Sequence, residues 1–154
     1  GEIVIRLRKN QAGLMMGYLG NEKIEEVSSD DGLYHTGDLA WVDGDGYFWY
    51  NGRKDDIIKT GGFRVGPVEI ESILIEHPLV LECLVVGVPD PLRGQAIKAV
   101  VVLLPKTEPS EDLKKEIRQF ANARLAVFKH IRHVEFVDVL PKTHNGKIRR
   151  RVLG

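Results

Sequence analysis

Three short stretches carry residue types that packing alone does not call for. The last of them, LPKTHNGKIRRR at 140–151, holds Lys142, Lys147, Arg149, Arg150 and Arg151. Taken by itself it is a basic tail of the kind that lies along phosphate backbones. The Thr-His-Asn-Gly run ahead of Lys147, however, is turn chemistry that sets where that lysine points. A long-stemmed ammonium is a mobile point charge, suited to spanning oxygens of two different groups as charge builds on both in a transition state. In YHTGD at 34–38, Asp38 follows Thr-Gly in a strand-like run. A carboxylate there can accept hydrogen bonds from a vicinal diol such as ribose; the plainer alternative is an acid satisfying its own turn. In GRKDDIIKTGGFRVGP at 52–67, Arg53 with Asp55 and Asp56 reads as an ion-paired boundary. Gly61 and Gly62 supply either a tight turn or bare backbone open to a ligand. No phosphate loop of the form G-x-x-x-x-G-K-[ST] occurs.

The five histidines show no metal-ligand spacing. His130 and His133 could share a helical face, but no cysteine pair or third ligand accompanies them, so no metal site is expected. Charge narrows the partners further. The 154 residues carry 22 Lys and Arg against 22 Asp and Glu, so the field that draws a protein to nucleic acid or anionic membrane is absent. No nucleic-acid partner is therefore expected. The single cysteine, Cys83, lies in an apolar run and can form no internal disulfide, which suits a reducing cytoplasm. No apolar stretch approaches the ~20 residues that span a bilayer.

These residues must be held by elements, and hydrophobic period indicates which. Residues 2–8 alternate as a half-buried strand, and 10–31 read as a long irregular crossing. LYHTGDLAWV and YFWYNGR flank Asp-Gly pairs, the pattern of a hairpin, with aromatics on both faces as if it were covered on both sides. Gly61-Gly62 turns a second, shorter hairpin. Pro67 opens a helix at its favoured first position, with Glu69 and Glu71 suiting the positive end of its dipole. Two β-branched strands at 80–88 and 96–104 follow. Ser110 caps a second helix in which Leu113, Ile117, Phe120 and Ala121 recur at helical spacing. A third strand at 134–139 and a last helical turn at 147–152 complete the order. The outcome is an α+β chain with its best boundary at 52–56.

Taken together, GEIVIR, YHTGDLAWVDGDGYFWYNGRKDDIIKTGGFRVGPVEIE, VVGVPDPLRGQAIKAVVVL and LPKTHNGKIRR resemble the AMP-forming acyl-CoA synthetases of the adenylate-forming superfamily. GFRVGPVEIE and PDPLRGQAIKAVVVL are most similar to acetate- and medium-chain-type CoA ligases. The resemblance covers nearly the whole chain but only the C-terminal portion of such enzymes. It implies a small C-terminal lid domain at 57–154, with a three-stranded sheet, two helices and a β-hairpin. A hinge at 54–56 and a β-rich fragment of the large domain's barrel subdomain at 1–53 would precede it. The implied reaction joins a carboxylic acid to CoA through an acyl-adenylate, releasing AMP and pyrophosphate, with ATP and CoA as substrates. Mg²⁺ would be held by parts of the parent outside this chain, and the missing N-terminal domain would be its partner.

By the same resemblance, Asp38 and Arg53 hold the ribose hydroxyls and Asp55 is the hinge residue. Lys147 is the adenylation lysine, bridging substrate carboxylate and α-phosphate. Lid rotation would then bring in the hairpin, where Gly62 leaves room for the pantetheine arm, Gly61 shares the turn and Arg64 contacts phosphate. Three features depart from the family pattern. Leu33 stands where an aromatic is frequent. AVFKHI at 126–131 lacks the usual Pro-Tyr, so Lys129 receives no role, and the chain stops short of the usual tail. The isolated chain would be inactive. Two alternatives are an adenylation enzyme that loads a carrier protein, and a non-catalytic lid or interaction module.

Overall fold

The computed structural model describes residues 1–6, 17–19, 24–26 and 31–153. The chain divides into two compact units, Gly1–Tyr50 and Asn51–Gly154. The first begins with β1 (Glu2–Arg6). Positions 7 and 8 of the expected first strand lie outside the described residues. Within 10–31, expected as an irregular crossing, β2 (Gly17–Leu19) and β3 (Ile24–Glu26) form an antiparallel ribbon, and most of the remainder is outside the described residues. Three-residue strands are too short for an alternating pattern to stand out in sequence.

Next come β4 (Leu33–Val42) and β5 (Phe48–Arg53), which pair with β1 in the order β1-β4-β5. Asp43 organises their connection. Its carboxylate accepts from the backbone N–H of Asp45 and Tyr47, both at 3.0 Å, and from the Trp49 indole at 2.7 Å. The indole bond first, then the backbone donors, hold the Asp43 carboxyl below its usual range. Trp41 stacks on Trp49 at 5.6 Å. Contrary to the expectation of a hairpin covered on both sides, Tyr47, Phe48, Trp49 and Tyr50 each stay more than half exposed. Among the described residues of this strand-built unit of about fifty residues, no second apolar layer buries them.

The second unit contains β6 (Ile58–Thr60), β7 (Phe63–Val65), α1 (Pro67–Ile75), β8 (Val80–Asp90), β9 (Gly94–Leu103), α2 (Glu111–Asn122) and β10 (His133–Phe136). β9 is central. β8 runs antiparallel along its length, β10 is parallel to its later part, and β6 joins through the Thr60–Gly94 pair and carries β7. The expected three-stranded sheet and hairpin are thus one five-stranded sheet. β10 ends at Phe136, earlier than the sequence pattern suggests.

Both faces of this sheet are buried, as continuous apolar runs like β8 and β9 require. On one face Cys83, Val85, Ala99 and Val101 pack against Ile70 and Leu74 of α1 and Ile117 and Ala121 of α2. Burial pushes the Cys83 thiol up to about 12. α2 starts as its sequence indicates, with the Ser110 hydroxyl accepting the Leu113 N–H at 3.1 Å. On the other face Leu84, Val86, Val100 and Val102 meet Leu140, Ile148 and Leu153 of the tail. The tail is therefore a structural layer as well as a carrier of charge. Among the described residues no helix is long and apolar enough to cross a membrane.

Candidate functional site

Lys147 stands on a hydrogen-bonded turn. The Gly146 N–H donates to the Thr143 carbonyl at 2.8 Å, and the Thr143 N–H donates to the Lys147 carbonyl at 2.7 Å. The Lys147 N–H donates to the Thr143 hydroxyl at 3.1 Å, and Lys142 bridges Ile148 below the turn. This small hairpin occupies positions expected to begin a helical turn; the helical segment is the short 3₁₀ stretch Arg150–Val152. Ile148 buries against the sheet while Lys147 stays exposed, so packing below fixes the aim of the charge above. Among the described residues no carboxylate pairs with the Lys147 ammonium, whereas Lys142 pairs with Glu82 at 2.9 Å. Lys147 lines a cleft of about 330 Å³ with Arg53, Asp55, Asp56, Thr143 and Arg150. The structure thus brings together three residues nominated from sequence: Lys147, Arg53 and Asp55.

Asp55 lies in the 3₁₀ turn Lys54–Asp56, between β5 and β6. Its carboxylate sits 3.6 Å from the Arg53 Nε, with both side chains nearly half exposed. Such a pair is worth ~0–1 kcal/mol, little resistance to a change of torsion. Asp56 differs: its carboxylate takes the Arg150 Nε at 3.1 Å. Burial raises the Asp56 carboxyl above its usual range; Arg150 opposes the shift, and the charges of Asp55 and Glu71 add to it.

Contrary to the sequence expectation, Arg150 is not a free tail cation and Glu71 does not serve the helix dipole, because the two bind each other. Arg150 Nη2 donates to Glu71 Oε2 at 2.9 Å, Nη1 donates to Glu71 Oε1, and Nη1 also donates to the Val85 carbonyl at 3.1 Å. Glu71 Oε1 in turn accepts the Val85 N–H at 2.8 Å. Among the described residues β8 pairs only with β9, so Glu71 and Arg150 satisfy an edge peptide much as a neighbouring strand would. Hydrogen bonds to charged groups contribute ~1.5–3 kcal/mol each, so this clamp outweighs the Arg53–Asp55 pair. Gly66 caps α1 with φ −76°, which does not demand glycine. The reason is space, since a Cβ there would meet the Asn51 carbonyl oxygen at 2.3 Å.

Gly61 and Gly62 form the two-residue loop between β6 and β7, with φ of 55° and 84°. Positive φ at both positions is the requirement of a type I′ turn. A Cβ at either would meet nothing within 4 Å, so the turn opens to solvent. Behind it Arg64 sits across from Lys59, both exposed. Facing like charges repel, and among the described residues neither side chain has a carboxylate partner. An anionic ligand would relieve that repulsion. Gly61, Gly62 and Arg64 do not line the Lys147 cleft.

Asp38 lies in the first unit. Glu2 pairs with Leu39 but Val4 with His35, so 36–38 bulge from the ladder, and bulges re-aim side chains. The Thr36 hydroxyl donates to the Ile3 carbonyl at 2.7 Å and accepts the Asp38 N–H at 3.1 Å. Beside the bulge, His35 meets Asp31 at 3.1 Å and Glu2 at 3.3 Å. Those hydrogen bonds, Asp31 first, raise the His35 pKa above its ordinary 6.5 despite partial desolvation. A raised folded-state pKa gives a contribution that is complete below 6.5 and lost as pH rises through the raised value. Proton NMR should find His35 titrating above 6.5, and Asp31→Asn should lower that midpoint; an unchanged midpoint would contradict the pairing.

Another cleft, of about 510 Å³, lies between 102–111 and 135–138 and is lined by none of the site residues nominated from sequence. Among the described residues no group of three or more His, Cys, Asp or Glu side chains is arranged to hold a metal ion. His130 ends the 3₁₀ turn Val127–Lys129 while His133 begins β10, so they share no helical face. These described residues offer no fitted Mg²⁺ site.

Residues 69–147 match the family model for the AMP-binding enzyme C-terminal domain. The chain is 49% identical over 150 residues to 4-hydroxybutyrate–CoA ligase 1 of Metallosphaera sedula, covering 97% of this chain and 26% of that protein. It is 48% identical over 150 residues to acetyl-coenzyme A synthetase of Bacillus subtilis, again covering 97% and 26%. A solved anthranilate CoA ligase in complex with anthranoyl-AMP aligns with TM-score 0.74 and 46% identity, over 82% of this chain and 24% of that one. ATP-bound MatB from Rhodopseudomonas palustris aligns with TM-score 0.73 and 38% identity, over 82% and 25%. The chain spans about a quarter of the length of the curated relatives it matches. With an α+β second unit, a lysine turn over a cleft and this match, the chain belongs to the AMP-binding enzyme C-terminal domain family, found in adenylate-forming acyl-CoA ligases.

Proposed function

We propose that this chain is the lid-bearing portion of an AMP-forming acyl-CoA synthetase, acting within a longer protein that supplies the triphosphate cradle and acyl pocket. The observation that carries the reading is the exposed Lys147, held on its turn with no acidic partner among the described residues and sharing a cleft with Arg53 and Asp55. In adenylation, the Lys147 ammonium would bridge the substrate carboxylate and the α-phosphate. Its benefit belongs to the transition state, because charge on both groups is greatest there. Asp38 and Arg53 would hold the ribose hydroxyls. Asp55 would serve as pivot, and rotation there would replace Lys147 with the Gly61-Gly62 hairpin for thioester formation. Lys59 and Arg64, paired across β6 and β7 with no carboxylate partner among the described residues, suit the phosphates of CoA.

Domain limits follow as 1–53 for the end of the large domain, 54–56 for the hinge and 57–154 for the lid. The isolated chain would be inactive, and a short- or medium-chain fatty acid is the proposed substrate class. A buried Cys83 with no disulfide partner suits a reducing compartment such as the cytoplasm. The second reading, an enzyme loading a carrier protein, differs only in its acceptor. The test uses a full-length protein containing this chain. Acyl-adenylate should react with free CoA at least about tenfold faster than with a holo-carrier protein, judged by kcat/KM. Preference for the carrier would overturn the acyl-CoA synthetase reading.

A further inference from the structure

We infer that Arg150 is a positioning residue. One guanidinium pins the base of the Lys147 hairpin and the last residue of the pivot segment to a single point on the lid, so lysine and pivot travel as one rigid piece. The inference rests on the proposed role of Lys147 and deepens it.

Arg150 follows directly on Arg149, whose N–H closes the hairpin onto the Pro141 carbonyl at 2.8 Å. Its Nε faces Asp56 at 3.1 Å, while Nη1 and Nη2 engage Glu71 of α1 and the Val85 carbonyl of β8. Three separate segments thus meet on one side chain. Only a planar fork of donors serves them together, because a lysine ammonium is a point that cannot span both carboxylates and the carbonyl. The apolar anchors Ile148 and Leu153 already seat the tail on the sheet. What Arg150 adds is a lateral fix between Lys147 and residue 56. Its charge also holds two acids side by side. Without it, Asp56 and Glu71 would repel each other, with Asp55 adding to the repulsion, and segment 54–56 would loosen together with the hairpin.

Hydrogen exchange on the 154-residue chain, followed by mass spectrometry, tests the clamp. Arg150→Lys and Arg150→Met should each accelerate exchange about tenfold or more in both 54–58 and 141–149, leaving α2 and β9 unchanged. Lys147→Ala should leave all of these segments as they were. Acceleration in only one segment, or a general rise through α2 and β9 in both Arg150 variants, would overturn the inference. In a full-length protein containing this chain, Arg150→Lys should lower the kcat of acyl-adenylate formation by on the order of 100-fold, with KM for ATP nearly unchanged. Thioester formation from supplied acyl-adenylate should stay within about threefold. Equal loss in both half-reactions would mark Arg150 as merely structural and end the proposal. The two readings also fail separately. If Lys147→Ala spares adenylation, the function assigned to Lys147 is wrong, and coupled exchange in the Arg150 variants would then reveal a structural clamp without a positioning role.

Discussion

Lys147→Ala, introduced into a full-length protein containing this chain, should lower acyl-adenylate formation by roughly 10²–10³-fold, or about 3–4 kcal/mol of transition-state stabilisation. The loss should fall on kcat, because the ammonium meets its greatest partner charge only as the carboxylate attacks the α-phosphate. Folding should be indifferent to the change. Lys147 is exposed, its turn is held through backbone groups and the Thr143 hydroxyl, and its ammonium has no acidic partner among the described residues. Removing it should move unfolding stability by no more than ~0.5 kcal/mol. Thioester formation from supplied acyl-adenylate should continue at nearly the original rate. ATP–pyrophosphate exchange and CoA consumption, measured on the same preparation, separate the two steps. A parallel loss in both would rule out a lid with two working surfaces.

Gly62→Leu should produce the reverse pattern, with thioester formation reduced by on the order of 100-fold and adenylation retained. Two effects must be separated. At φ 84° any L-residue at this position is strained, by ~1–2 kcal/mol. Alanine carries that backbone cost without the bulk, so Gly62→Ala is the control. Because a Cβ at Gly62 meets nothing within 4 Å among the described residues, a further loss in the leucine variant is expected to come from whatever the hairpin approaches. If leucine and alanine behave alike, Gly62 is a turn residue and lines no tunnel for the pantetheine arm.

Much of the second unit was legible because it is specified locally. Pro67 at a first helical position, Ser110 accepting an N–H three residues on, and paired glycines requiring positive φ are each decided by a few adjacent residues. The alternation of β1 and the helical recurrence of Leu113, Ile117 and Ala121 are likewise readable, since period follows from backbone geometry. The β2–β3 ribbon was not, because three residues per strand hold no period. Solvent exposure of the β4–β5 aromatics was also misjudged. Composition says that a ring seeks cover but not whether the chain supplies any.

Residue types and their spacing marked the Lys147 turn, the charged boundary at Arg53, Asp55 and Asp56 and the Gly61-Gly62 turn, and showed no phosphate loop. The roles of Lys147, Arg53, Asp55 and Gly62 came only from the family resemblance of the motifs. Only the tertiary structure decided which of the cations crowded around Lys147 is unpaired and which is locked. Arg150 and Glu71 are 79 positions apart, and no local preference connects them. Their meeting depends on β8 presenting an open edge between α1 and the returning tail. Periodicity and turn chemistry are short-range and leave their mark in neighbouring letters. Charge pairing acts through space, so its partners become known only when the sheet has brought them together.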